Sequence, residues 1–248
     1  MERLTSRQNP TVSRMRLLGR ERAFREKCGE YVCDGTKLLG EALRWGAEIT
    51  AVLWSKQPDM DVPANVPQYS VPTELLDYAS PLRNCPGVLF SVKMRPLPVR
   101  AGRVIVLETM QDPGNLGTVL RTANAFGMDG VILTGECADL YNPKTVRAAM
   151  GALLRQRAES MTLEQLGEFI ERNGLRLYGA ALDERSVDIR DTMVDNLAVA
   201  IGSEGRGLSA ELLNMCEGRV IIPMNPACES LNASVAAAII MWELGRGR

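Results

Sequence analysis

The chain is built on two hydrophobic rhythms. In "VIVLE" (104–108), "GVILT" (130–134), "LAVAIG" (197–202) and "RVIIP" (219–223) apolar residues run on without polar alternation. Such runs predict parallel strands covered on both faces. "LRLYGAAL" (175–182) reads as another strand of the same group. Between the first two strands, Leu116, Val119, Leu120, Ala123 and Phe126 recur at helical spacing and form one apolar stripe. Further helices are expected from Pro143, from Ser209 and after Asn232. Residues 103–248 therefore read as an α/β domain with a parallel sheet. The first 93 residues read as a smaller α/β unit. It has a helix over 10–27, strands "EYVCD", "ITAVLWS" and "GVLFSV", and a helix "GTKLLGEALRWG" closed by Gly46. The prolines of residues 56–72 exclude long regular elements there. Residues 94–102, rich in proline and basic side chains, are expected to be a linker.

Three loops follow buried strands and run into helices, at the strand ends where open α/β sheets place their sites. In "QDPGN" (111–115), Asp-Pro-Gly-Asn is turn chemistry, and Asn115 is expected to cap the next helix. Arg121 then falls about 140° around that helix from Leu116, off the apolar stripe. A solvated surface charge and a catalytic cation both fit that position. The second loop, "GSEGRGLS" (202–209), carries three glycines that let backbone approach a ligand closely. Its spacing is neither a dinucleotide fingerprint nor a phosphate loop. The third, within "IIPMNPACESLNASVAAAII" (221–240), ends in a helix that is apolar nearly all round, and so should be buried against more than one surface. Together the loops indicate one composite pocket.

Composition narrows the chemistry. Of 248 residues, 46% are apolar and 24% charged, and there is no histidine, which removes the usual near-neutral proton acceptor. The six cysteines form no C-x-x-C pair, so free cytosolic thiols are expected and no metal site. The start of the chain lacks an apolar signal core, and the longest apolar run, residues 233–242, is too short to span a bilayer. A cytoplasmic protein is the expectation. The net charge of −1 hides a basic stretch in which residues 1–27 hold eight Arg and Lys against three Glu. That run reads either as a solvated helix face or as a phosphate-facing stripe including Arg14, Arg16 and Arg20.

Taken in order and spacing, "DPGNLGTVLRTANAFG", "IGSEGRGLS" and "IIPMNPACESLNASVAAAI" resemble the three motifs of the SpoU-type (TrmH-like, SPOUT superfamily) RNA 2′-O-ribose methyltransferases. The likeness extends over "NPKTVRAAMGALLR" (142–155), and the N-terminal segment is similar to the RNA-binding domain that precedes the catalytic domain in that family. The resemblance implies a deep trefoil knot, which true-to-pattern reasoning would not propose. It also implies S-adenosylmethionine as cofactor, held around Ala181, Leu182, Gly202, Ile222, Met224 and Leu231. It implies catalytic roles for Arg121 and Asn115 (first motif), Glu204 (second) and Ser230 and Asn232 (third). A homodimer through the C-terminal domain and an RNA partner, ribosomal or transfer, follow as well. Ribosomal RNA is favoured by the N-terminal extension. A transfer-RNA methyltransferase, and a non-catalytic RNA-binding or ribosome-assembly factor of the same fold, are the alternatives.

Arginine is an awkward base, because an ordinary guanidinium titrates far above neutrality and its neutral form at pH 7 costs roughly 7 kcal/mol. Two roles stay open for Arg121: a base activated by substrate phosphate and burial, or a cation that stabilises developing alkoxide charge. The second demands less of the site.

Overall fold

The computed structural model describes residues 1–82, 84–183, 186–192, 196–203, 205–225, 227–228 and 230–246. Its first compact unit comprises Met1–Arg95 and Asp139–Leu154, and its second Pro96–Ala138 and Arg155–Arg248. The first unit begins with β1 (Glu2–Arg3), α1 (Pro10–Arg20), α2 (Arg22–Cys28), β2 (Glu30–Asp34), α3 (Thr36–Arg44) and β3 (Ile49–Trp54). β4 (Gln68–Ser70), α4 (Thr73–Ala79) and β5 (Val88–Lys93) follow. These strands form a mixed sheet in the order β1-β4-β3-β5-β2, with β5 antiparallel to both β3 and β2.

Alternation along β2 and β5 serves both faces of this sheet. Tyr31, Cys33, Phe90 and Val92 point into one core with Leu39 and Trp54, while Val32 and Leu89 join Val12, Met15, Leu18 and Leu76 in the other. The helix expected over 10–27 is broken at Glu21, whose backbone is extended (φ −117°, ψ 114°). Asn9 caps α1, and a separate α2 ends on left-handed Gly29. The break has a partner to satisfy. Arg25 of α2 is buried, and donates to the Leu18 carbonyl at 2.9 Å and to Asp139 at 2.6 Å.

The second unit opens with β6 (Val104–Glu108), α5 (Pro113–Ala125) and β7 (Gly130–Thr134). The chain then returns to the first unit through α6 (Pro143–Ala149) and a short 3-10 turn, Ala152–Leu154. Val146 sits in the Tyr31–Phe90 core there, with Tyr141, Leu153 and Leu154 packed against it. Back in the second unit come β8 (Ala158–Ser160), α7 (Leu163–Asn173), β9 (Arg176–Ala180), β10 (Val187–Asp188) and β11 (Leu197–Ile201). α8 (Ala210–Met215), β12 (Gly218–Ile221) and α9 (Ala233–Gly245) complete it. All seven strands are parallel, in the order β10-β12-β9-β11-β6-β7-β8. Every residue of β6, β7 and β11 is buried, as the uninterrupted apolar runs require. α9 packs against α5 and β11, and buried Arg103, just before β6, donates at 2.9 Å to the Leu244 carbonyl near the end of α9.

Candidate active site at the carboxyl strand ends

β6 delivers the chain to Thr109, which adopts a left-handed conformation (φ 53°). The helix that follows is capped by Asp112, whose Oδ1 accepts from the Asn115 amide at 2.7 Å. This corrects the expectation that Asn115 is the cap. Pro113 occupies the first helical position, where its missing N–H costs nothing, so the capping carboxylate comes from the residue before it. Asn115 is turned instead toward the start of α9. Its Oδ1 accepts from Asn232 Nδ2 at 3.3 Å. Asn232 caps α9, with Oδ1 accepting from the amides of Ser234 (3.0 Å) and Val235 (3.3 Å). The Ser234 hydroxyl lies 2.6 Å from Asn232 Oδ1 and 3.3 Å from Asn115 Oδ1. Its single proton serves the nearer oxygen. First and third motifs thus meet in one polar cluster, and its buried member, Ser234, was missed by sequence reasoning although it stands two residues after Asn232.

The second loop is held from below. Glu108, buried at the end of β6, accepts from the Ser209 amide at 2.7 Å and from its hydroxyl at 2.6 Å. Ser209 Oγ in turn caps α8 by accepting from Leu212 at 3.1 Å. Glu108 carried no signal beyond being the one acidic residue at the end of an apolar strand. Above it the loop folds back on itself, with Ser203 and Gly207 paired as a β-bridge and Gly207 left-handed (φ 65°). A Cβ at Gly202 would lie 2.1 Å from the Gly207 carbonyl group. Only glycine fits there. Glu204 lies outside the described residues.

Five of the six residues expected to hold the cofactor, Ala181, Leu182, Ile222, Met224 and Leu231, line one cleft together with Ser230. Ala236 and Ile240 of α9 close it. Its volume, about 150 Å³, is below the roughly 300–1,000 Å³ of whole-ligand pockets. That space suits one flat apolar end of a longer molecule. Gly202 lines neither this cleft nor its neighbour, and contributes by the turn it permits. The neighbouring hollow is more polar, bounded by Thr109, Asp112, Asn115, Ser203, Gly205 and Arg206 among others, and reaches Ala233. Ala233 and Ala236 are adjacent on the same helical face, so the first turn of α9 separates the two spaces. Arg206, which lines the same hollow as Asp112, was not singled out from the sequence.

Arg121 is exposed on α5 and has no hydrogen bond or ion pair among the described residues. In the first unit, two of the three arginines expected to face RNA have partners within the protein. Arg14 pairs at 2.6 Å with Glu30, a carboxylate only 2% exposed that also holds Lys93 at 2.9 Å. Arg16 donates to the Tyr78 carbonyl and lies 4.0 Å above the Tyr78 ring. Arg20 is exposed at the end of α1. Among the described residues no group of three or more Cys, Asp or Glu side chains is placed to hold a metal, and no helix is long and apolar enough to cross a membrane.

An apolar cleft and a polar hollow at the carboxyl ends of a parallel sheet, with Asn115 of the Asn–Asn–Ser cluster lining the hollow, define an α/β protein with a ligand site built from strand-end loops. The comparisons make the class specific. The chain belongs to the SpoU rRNA Methylase family, whose sequence model matches residues 102–242. An uncharacterized tRNA/rRNA methyltransferase of Synechocystis is 35% identical, over 98% of this chain and 93% of its own length. The 23S rRNA (guanosine(2553)-2′-O)-methyltransferase RlmP of Bacillus subtilis is 28% identical over 98% and 99%. A crystal structure of an AdoMet-bound rRNA methyltransferase from Sinorhizobium meliloti superposes with a TM-score of 0.89 at 27% identity, covering 99% of this chain and 98% of that one.

Proposed function

We propose that this protein is an S-adenosylmethionine-dependent RNA 2′-O-ribose methyltransferase acting on ribosomal RNA. One observation carries the reading beyond family membership: two spaces of different character meet at the first turn of α9, the apolar one walled by Leu182, Ile222, Met224 and Leu231 and the polar one by Asn115 and Ser203. The residues present fit the cofactor, since an apolar cleft receives a flat heterocycle and the adjoining polar hollow receives charged or hydroxylated groups. When bound, S-adenosylmethionine supplies a methyl group already activated on a sulfonium. What the chain must add is alignment of the ribose oxygen and relief of the charge that develops on it.

In this reading Asn115 and Asn232 orient the ribose. Both are fixed on helix starts and tied to each other, which limits the freedom lost when substrate binds. Ser230 borders the cofactor cleft at the same end, and Glu204 belongs to the loop clamped by Glu108. Arg121, with a free planar fork, acts on the 2′-oxygen as a cation that stabilises the alkoxide. The first compact unit serves RNA binding, and the second, which holds the apolar cleft and the polar hollow, serves catalysis. A homodimer through α9 is supported by the exposure of Val235 and Trp242 on that helix. A knotted C-terminal segment belongs to the same reading. A cytoplasmic location follows from the RNA substrate.

The test is incubation of the full chain with methyl-labelled S-adenosylmethionine and, separately, unmodified ribosomal and transfer RNA, followed by mapping of 2′-O-methyl positions. Label at one ribosomal nucleotide is expected. Transfer to tRNA alone would move the substrate. Cofactor binding with no transfer to either would favour the non-catalytic alternative.

A further inference from the structure

The first unit carries a second hollow, remote in sequence from the three motif loops. About 280 Å³ in volume, it is bordered by Tyr31, Trp45, Lys93, Arg95 and Tyr141, with Leu153 among the apolar residues of its floor. Each part has its own local cause. α3 ends at Trp45, and the left-handed turn at Gly46 (φ 63°) carries the chain away, leaving 47% of the tryptophan exposed. The Arg44 guanidinium lies 6.0 Å from its ring. Tyr31 and Tyr141 meet at 5.0 Å with their planes tilted by 41°. Lys93 is held by Glu30, while Arg95 is exposed at the rim beside Met94. Glu48 is the rim's acidic member.

An exposed tryptophan beside Leu153, Leu154 and several cations belongs to neither core. We propose that this hollow is a binding subsite for one unstacked nucleobase of the RNA substrate, stacked on Trp45 with its neighbouring phosphate met by Arg95 and Arg44. The proposal rests on the RNA-methyltransferase reading above. Aromatic faces accept any base, because every base has a π-face, and cations at the rim follow the backbone. The volume is slightly below that of whole-ligand pockets, which fits a base with its sugar and phosphate left outside. The hollow thus selects RNA in which a base is free to leave its stack, in a loop or bulge, rather than continuous duplex.

Three variants of the full chain test this: Trp45→Ala, Trp45→Phe and Arg95→Ala. Trp45→Ala should raise the Kd for a single-stranded oligoribonucleotide and the KM for ribosomal RNA about tenfold, the size of one lost base stack. Its kcat and its affinity for S-adenosylmethionine should match wild type. Trp45→Phe keeps a stacking face and should recover most of the loss, while abolishing the tryptophan quenching that the oligonucleotide causes in wild type. Arg95→Ala should reduce the salt slope of binding by about one. Unchanged RNA binding in Trp45→Ala, or equal losses in the Ala and Phe variants, would overturn the subsite. A mononucleotide that quenches as strongly as the oligonucleotide would also overturn it, by making this a free-nucleotide site. The two readings fail separately. Wild-type protein that shows the Trp45-dependent RNA binding yet transfers no methyl group would sink the enzyme and leave the subsite standing, whereas normal transfer by a Trp45→Ala protein with normal KM would do the reverse.

Discussion

Arg121 stands in solvent on α5, without a hydrogen bond or ion pair among the described residues, so its replacement should leave the fold alone. Arg121→Ala is expected to lower kcat by at least about 10²-fold, the scale of losing one charge-stabilising donor, with S-adenosylmethionine affinity unchanged by calorimetry. Arg121→Lys separates the two chemical roles. A point charge without the planar fork should retain part of the activity if electrostatics dominates. Wild-type turnover in the alanine variant would remove Arg121 from the mechanism. Gly202 presents the opposite case, since its role is steric. Gly202→Ala drives a methyl group into the Gly207 carbonyl, and should open the 202–208 turn and abolish transfer; a variant with normal cofactor binding and turnover would show that the turn yields cheaply. At this scale the sequence was legible where a residue type has one use. A helix start at 112–115 was legible, but Pro113, Gly114 and Asn115 are already helical rather than a turn, and the cap was misassigned to Asn115, because Asp, Asn and Ser all cap well and only Pro113 decides between them. The grouping of Leu182, Ile222, Met224 and Leu231 came from resemblance; no periodicity joins residues on two separate loops.

Among the elements, α9 combines a buried side, with Ala237, Ile240, Met241 and Leu244, and an exposed one carrying Val235 and Trp242, the latter edge-on to Phe126 at 5.6 Å. Exposed apolar side chains on one helix mark an interaction face. Val235→Glu should convert the proposed dimer to monomer by light scattering, with far-UV circular dichroism unchanged. A wild-type protein that is already monomeric and active would refute the dimer. The uniformly apolar strands β6, β7 and β11 were readable because burial on both faces leaves no alternation to confuse, whereas β12, expected to be covered like them, is fully buried only at Val220. α7 was passed over despite a capping box, Thr162 with Gln165, and the short edge strands β1, β8 and β10 have too few residues to show a period. The break at Glu21 was hidden too, since Arg25 finds its acceptor 114 positions away at Asp139.

For the molecule as a whole, the basic N-terminal stretch is less available than its count implies. Arg14 and Arg16 are engaged, and Arg25 is buried. Reversing Arg14 would set a second carboxylate against buried Glu30 and confound any binding measurement. The cleaner variant is Arg20→Glu with Lys27→Glu, two exposed positions. If both meet phosphate, the slope of log K against log salt should fall by about two, with cofactor affinity intact; superimposable titrations would leave these charges as a solvated face.

The excursion of Asp139–Leu154 into the first unit bears on how separable the two halves are. The chain passes between units at 95/96, 138/139 and 154/155, so neither unit is one continuous stretch of sequence. Cutting ahead of residue 102 would strand Val146, Leu153 and Leu154 without the core they complete. Residues 102–248 expressed alone should therefore aggregate or bind a hydrophobic dye, and co-expression of residues 1–95 should restore a soluble, non-covalent pair. A recombination event that exchanged the N-terminal half would have to carry a matching 139–154 segment with it, so the two stretches are inherited as one piece.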